Sequence, residues 1–195
     1  MVTVTINGTP REVMSKSEVK AVRNAGLIPC VLYGSGDENV HFTTTQSDVR
    51  HLVYTAEFKL AEVIVNGKSH RCILKGIQFD SIKDTITHID FLQLTDGRKV
   101  IVEVPLSFEG VSPGVRAGGK FVQKTRRVKI KTTPENLVDK ISVDISGMRL
   151  GHSLRIRDIA PVPGVEIVNP QALPIATIAI PRALKGTLVE EEEAA

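Results

Sequence analysis

The dipeptide Asn66-Gly67 constrains the fold of this chain more than any other feature. It separates two runs of apolar and β-type residues, 60–65 and 69–74, and both turn residues tolerate the positive φ that a two-residue hairpin demands. That hairpin is the most secure local element the sequence offers. Further strand signals surround the hairpin. Residues 2–6 alternate apolar residues with threonine and are closed by Asn7 and Gly8, Pro29 introduces a strand at 30–33, a Gly34-Ser35-Gly36 turn leads to another near 40–42, and residues 85–91 end the block. Two helices interrupt these strands. Ser15 and Glu18 form a capping box with Gly26 as a left-handed stop, which predicts a helix over 16–25, and Thr45 with Asp48 predicts a short one ending near Tyr54.

Beyond Thr95, Asp96 and Gly97, which read as a linker, helical periodicity nearly vanishes. Strands are predicted at 100–104, 121–131, 141–145, 165–168 and 175–180, with Pro113-Gly114 and Gly118-Gly119 bracketing a loop around Arg116. Five prolines from Pro161 to Pro181 suit turns and edge strands. At 195 residues the chain is long enough for two modest cores. The expected organisation is mainly β: a first domain over 1–94, a second all-β domain over 95–182, and a solvated acidic tail over 183–195 that ends in four glutamates and two alanines.

Charge is distributed unevenly along this frame. Lys+Arg against Asp+Glu count 10 to 10 in residues 1–94, 14 to 8 in 95–182 and 1 to 4 in 183–195. A basic second domain fits a polyanionic partner without naming it. No apolar run approaches the roughly 18 residues needed to cross a bilayer, and the N-terminus lacks a basic segment followed by an apolar one, so a cytoplasmic protein is expected.

Sites for chemistry are not evident. Ser35 lacks the glycines two residues to either side that a nucleophile elbow needs, since Tyr33 and Asp37 stand there. The same turn lacks the third glycine and the lysine of a phosphate cradle. Histidines 41, 51, 70, 88 and 152 are too scattered for a zinc or iron site. Cys30 and Cys72, each among β-type residues, read as buried reduced thiols. No enzyme activity, cofactor, metal or small-molecule substrate is expected.

Three constellations point to a nucleic acid instead. In the segment 87–91, period-two geometry puts His88 and Asp90 on one face while Ile89 and Phe91 point to the other, so a donor and an acceptor stand side by side. Such a pair can bond base edges or ribose 2′-hydroxyls, although taken alone it reads first as a structural cross-strand polar pair. Lys16, Lys20 and Arg23 share one face of the first helix, a ridge able to lie on phosphates or simply a solvated face. Between Gly110 and Pro134 stand Arg116, Lys120, Lys124, Arg126, Arg127, Lys129 and Lys131 with no acidic residue. That stretch suits a second RNA contact, and a charged edge that discourages strand aggregation is the alternative.

Taken together, Arg11, Lys16, Lys20 and Arg23, the segment 26–34 with Pro29 and the run from Val31 to Gly34, and the segment 86–91 with His88, Ile89, Asp90 and Phe91 resemble the bacterial 5S-RNA-binding ribosomal protein family numbered twenty-five in the large subunit. The second block, with residues 102–106 and 114–119, resembles the β-domain appended in the family's long form, called CTC or general stress protein. The resemblance spans 1–182. It implies an N-terminal β-barrel flanked by short helices and clamped on 5S ribosomal RNA through the minor groove. It further implies phosphate contacts from Arg11, Lys16, Lys20 and Arg23, an RNA contact from Tyr33, and a reading surface of Lys75, Gln78, His88 and Asp90. Two departures stand out: Lys75 occupies a position where the family often has glutamine, and Ser15, Ser17, Glu18 and Ala21 stand where its helix usually has glycine and more arginines. The implied role is structural, on the ribosome, beside neighbouring large-subunit RNA and proteins. Two rival roles use the same features: a tRNA-binding module built on a related barrel, and a stress-induced module whose β-domain binds protein partners.

Overall fold

A computed structural model describes residues 1–34 and 39–181. The predicted turn at 34–36, with Ser35, and the acidic tail at 183–195 fall mainly or wholly outside those residues. The chain divides into two compact units, Met1–Val102 with Thr133–Asp139, and Glu103–Thr132 with the described residues from Lys140 onward.

The first unit is a closed six-stranded barrel. Its strands are β1 (Thr3–Pro10), β2 (Leu27–Tyr33), β3 (Val40–Thr45), β4 (Leu60–Val65), β5 (Lys68–Phe79) and β6 (Ile86–Gln93), arranged around the barrel as β1-β3-β2-β6-β5-β4. Closure leaves no free sheet edge, which removes the usual hazard of edge pairing. Alternation decides the inside. Ile6, Cys30, Leu32, Phe42, Val63, Cys72, Ile89 and Phe91 are wholly or almost wholly enclosed, and the Phe42 and Phe91 rings meet at 5.8 Å.

The β4–β5 hairpin turns at Asn66 and Gly67, whose φ angles of 53° and 73° fulfil the sequence expectation. Strand β5, however, runs past the expected end at residue 74 to Phe79, because an irregularity at Lys75 restores pairing with β6. Strand β1 likewise continues through Asn7 and Gly8 instead of closing there. Packing explains this second correction. A Cβ on Gly8 would stand 2.6 Å from the Phe42 ring and 2.8 Å from Val65, so the glycine is where a core aromatic lies against the strand.

Helix α1 (Lys16–Asn24) begins where the Glu18 carboxylate accepts the Ser15 N–H at 2.7 Å, which also holds the Glu18 carboxyl below its usual range. It stops at Gly26, with φ of 77°. Helix α2 (Gln46–Val53) is capped by the Thr45 hydroxyl, which accepts from Asp48 N–H, and it contributes Val49 and Leu52 to the barrel core.

The second unit contains two sheets. The division between units falls within β7 (Val100–Glu109), which joins β9 (Arg127–Thr132), β10 (Ile141–Asp144) and β12 (Val165–Ile167) in the order β10-β7-β9-β12. The other sheet has the order β11-β13-β8, from β8 (Lys120–Gln123), β11 (Ser153–Arg155) and β13 (Pro174–Ala179). Val128, Ile130, Ile141, Met148, Ile175 and Ile178 form its interior, and Phe108 meets Phe121 edge to face at 5.1 Å.

Two expectations are corrected here. The segment 121–131 is two strands rather than one: at Lys124 and Thr125 both N–H groups turn to the Ile175 carbonyl, and the chain then crosses into the other sheet. The loop around Arg116 contains a single helical turn, α3 (Pro113–Arg116), started by the Ser112 side chain. Its tightness follows from Gly114, where a Cβ would meet the Arg149 and Leu150 backbone at 2.6–2.7 Å.

Candidate nucleic-acid interface

The outer face of the barrel is built by register. Because Cys30, Leu32, Phe42, Ile89 and Phe91 point inward, Val31, His41 and Asp90 point outward, and Val31 pairs with His41 on one side and Asp90 on the other. The next strand places Gly76 opposite Asp90 and Gln78 opposite His88. Gly76 has no side chain to screen Asp90: a Cβ there would lie 3.1 Å from the carboxylate.

Two extra residues frame this patch. Lys75 on β5 has no partner in the β5–β6 register, and Thr87 on β6 is skipped where Gln78 pairs with His88 and Phe79 with Ile86. Such bulges re-aim side chains and free backbone groups from the ladder. The freed Thr87 carbonyl accepts from Arg23 Nε at 3.0 Å, and the Thr87 hydroxyl donates to the Gln78 carbonyl at 3.1 Å. One bulge thus ties helix α1, β6 and β5 together beside His88.

His88 and Asp90 bond directly, Nδ1 to Oδ1 at 3.0 Å, with 22% and 35% of their side chains still exposed. Partial burial lowers the His88 pKa from its ordinary 6.5; Asp90 raises it, while Arg11 and Arg23 oppose another positive charge and lower it. The ring is therefore uncharged at neutral pH. Since a carboxylate only accepts, the proton sits on Nδ1, which leaves Nε2 as an acceptor. Tyr33, half-buried on the same face, has its phenol pushed up by burial and by Asp90 and so stays protonated as a donor.

The cations border this patch. Arg11 donates its N–H to the His41 carbonyl at 2.9 Å and directs Nε toward the Phe42 carbonyl at 3.4 Å. Lys16, Lys20 and Arg23 are all exposed on α1, whereas Val19 and Val22 of the same helix are half-buried. Lys75 is turned aside: its ammonium donates to the Ile101 carbonyl at 3.2 Å.

In the second unit the predicted basic run is divided. Arg127, Lys129 and Lys131 share one face of β9, opposite buried Val128, Ile130 and Thr132, and Lys129 lies 3.7 Å from the Glu103 carboxylate. Lys120 is on β8, Lys124 and Arg126 are in the crossing between sheets, and Arg116 ends α3. Among the described residues no three His, Cys, Asp or Glu side chains gather in a way that suits a metal ion.

The sequence profile of the Ribosomal L25p family matches residues 6–91, and that of the C-terminal domain of ribosomal protein TL5 matches 99–182. Proteins named large ribosomal subunit protein bL25 align along almost the whole chain. That of Porphyromonas gingivalis is 37% identical over 193 residues, covering 98% of this chain and 100% of its own length. The chain belongs to the ribosomal L25p family. The Cytophaga hutchinsonii protein of that name is also 37% identical, over 98% of this chain and 96% of its own, and the Bacteroides fragilis protein is 35% identical over 95% and 96%. The L25p family is one of structural ribosomal proteins of the large subunit. The outer-face residues from Arg11 to Asp90 lie inside the L25p match, and the divided basic run lies inside the TL5 match.

Three features of the face escaped the sequence. The bulge carbonyl of Thr87 and the clearance at Gly76 arise from strand pairing, which has no local signature. His41 did have one: it alternates with Phe42, as His88 does with Ile89. Its Nδ1 is enclosed with no hydrogen-bond partner among the described residues, a condition that costs about 1–3 kcal/mol.

Proposed function

We propose that this protein is a non-catalytic architectural component of the cytoplasmic large ribosomal subunit, whose barrel holds 5S ribosomal RNA by its outer face. The observation that carries the reading is the His88–Asp90 pair at 3.0 Å, partly desolvated and opposite Gln78 and side-chain-free Gly76. A-form RNA offers 2′-hydroxyls and base edges in a wide, shallow minor groove, and an acceptor at His88 Nε2, a carboxylate at Asp90, an amide at Gln78 and a phenol at Tyr33 match that mixture. Arg11, Lys16, Lys20 and Arg23 serve phosphates along the border, and Lys75 has a lesser part because Ile101 already engages it.

The even charge balance of residues 1–94 does not oppose this role, because affinity for phosphates depends on the few cations at the interface. The second unit meets neighbouring ribosomal RNA or protein through Arg116, Lys120, Lys124, Arg126, Arg127, Lys129 and Lys131, with the face of β9 foremost.

The test is a gel-shift titration of the full chain against 5S ribosomal RNA with a tRNA control, with a His88→Ala, Asp90→Ala variant alongside. Selective 5S binding that the variant loses is the expected result. Equal binding to both RNAs would leave only a generic basic surface and overturn the proposal.

A further inference from the structure

We infer that His41 is a specificity-determining residue of the outer face, donating from Nε2 to an acceptor in the minor groove of the bound RNA, an inference that rests on the RNA-binding reading above. Register supplies the first argument. His41 pairs with Val31, and Val31 pairs in turn with Asp90, so the histidine and the carboxylate flank one apolar residue across three adjacent strands. At about 4.8 Å per strand, the two backbones are about 10 Å apart, within reach of a single ligand lying across the face.

Hydrogen-bond accounting supplies the second. Nδ1 of His41 is enclosed and has no hydrogen-bond partner among the described residues. A proton on Nδ1 would be a buried donor with nothing to receive it, a rarer and costlier condition than an unpaired acceptor. The proton therefore belongs on Nε2, which makes that nitrogen the ring's donor toward whatever covers the face.

His41 and His88 thus have opposite polarity. At His88 the Asp90 carboxylate takes the Nδ1 proton and Nε2 accepts; at His41 the enclosed Nδ1 stays bare and Nε2 donates. Acceptor and donor separated by the Val31 strand form a pattern that an RNA minor groove answers with a 2′-hydroxyl toward one and a base or ribose oxygen toward the other. A phosphate would satisfy only the donor.

The experiment uses the full chain and a 5S ribosomal RNA transcript. His41→Phe keeps the ring shape without nitrogens and should weaken 5S binding about five- to twentyfold, the effect of removing one hydrogen bond, while leaving weak tRNA binding unchanged. His41→Gln, which restores a donor, should recover most of the affinity. Nitrogen NMR of the wild type should show the Nε2–H tautomer in the free protein and a shift of that nitrogen on adding RNA. This second readout decides the matter if His41→Phe does not fold.

Wild-type affinity for His41→Phe, or an Nδ1–H tautomer, overturns the inference while the RNA-binding reading stands on the His88 and Asp90 variant. Failure of the wild type to prefer 5S RNA overturns both.

Discussion

Gly76 and Asp90 face each other across β5 and β6, so close that a Cβ on residue 76 would stand 3.1 Å from the Asp90 carboxylate. The absence of a side chain keeps that carboxylate both accessible and free to hold the His88 ring. Gly76→Val must displace it. A misplaced charge-assisted hydrogen bond and a partly filled face together should reduce 5S affinity about tenfold or more, with little change in thermal midpoint because the position lies on the outer surface. Circular dichroism melts and a gel-shift series on the same preparation test both halves. Unaltered affinity would mean the Asp90 carboxylate does not touch RNA.

The same pair fixes a pH dependence. In the folded protein the His88 pKa lies below its ordinary 6.5, through burial and through Arg11 and Arg23, against the opposing pull of Asp90. Between those two values the unfolded chain binds more protons, so this group leaves stability flat above 6.5 and reduces it as pH falls through the window. Proton NMR of the ring should give a midpoint below 6.5, lower still in Asp90→Asn and higher in Arg23→Ala. A wild-type midpoint at or above 6.5 would contradict the proposed desolvation and the uncharged ring at neutral pH.

Many strands and both helices of the first unit were legible because their signals are local, whereas the barrel itself was implied only by the family resemblance. The Asn66-Gly67 turn, the Ser15 and Thr45 caps, and the alternation that turns Ile89 and Phe91 inward all act within a few residues. What was hidden depends on partners distant in sequence. Gly8 looked like a turn because its reason, the Phe42 ring, lies on another strand. The run 121–131 looked continuous because alternation resumes after the crossing at 124–126, and only the Ile175 carbonyl reveals the break. Of the candidate site, the placing of His88 and Asp90 on one face followed from period two alone. The bulge at Thr87 that brings Arg23 beside it did not, since no residue type at that position demands it.

Burial sets the chemistry of the two thiols. Cys30 and Cys72 are fully enclosed and unpaired with each other, and desolvation pushes both up to about 12 from an ordinary 9.0. A thiolate fraction about a thousandfold below normal, behind closed packing, makes them inert in the folded state. Ellman's reagent at pH 8 should find almost no reactive thiol in native protein and two per chain in denaturant. Rapid native labelling would show that the barrel opens locally.

Salt dependence separates the cations by role. Lys16 and Lys20 are exposed on α1 without an ion-pair partner among the described residues, so their contribution to RNA binding would be phosphate neutralisation alone. Removing one cation from a phosphate should reduce the slope of log affinity against log salt by about 0.7–0.9, and Lys16→Ala with Lys20→Ala should reduce it by about 1.5. Arg23 is different, because its Nε also holds the Thr87 bulge at 3.0 Å. Arg23→Ala should therefore lower the slope and the thermal midpoint together, whereas His88→Ala should weaken binding with the slope intact. An unchanged slope in the double lysine variant would remove α1 from the interface and leave the strands alone to hold the RNA.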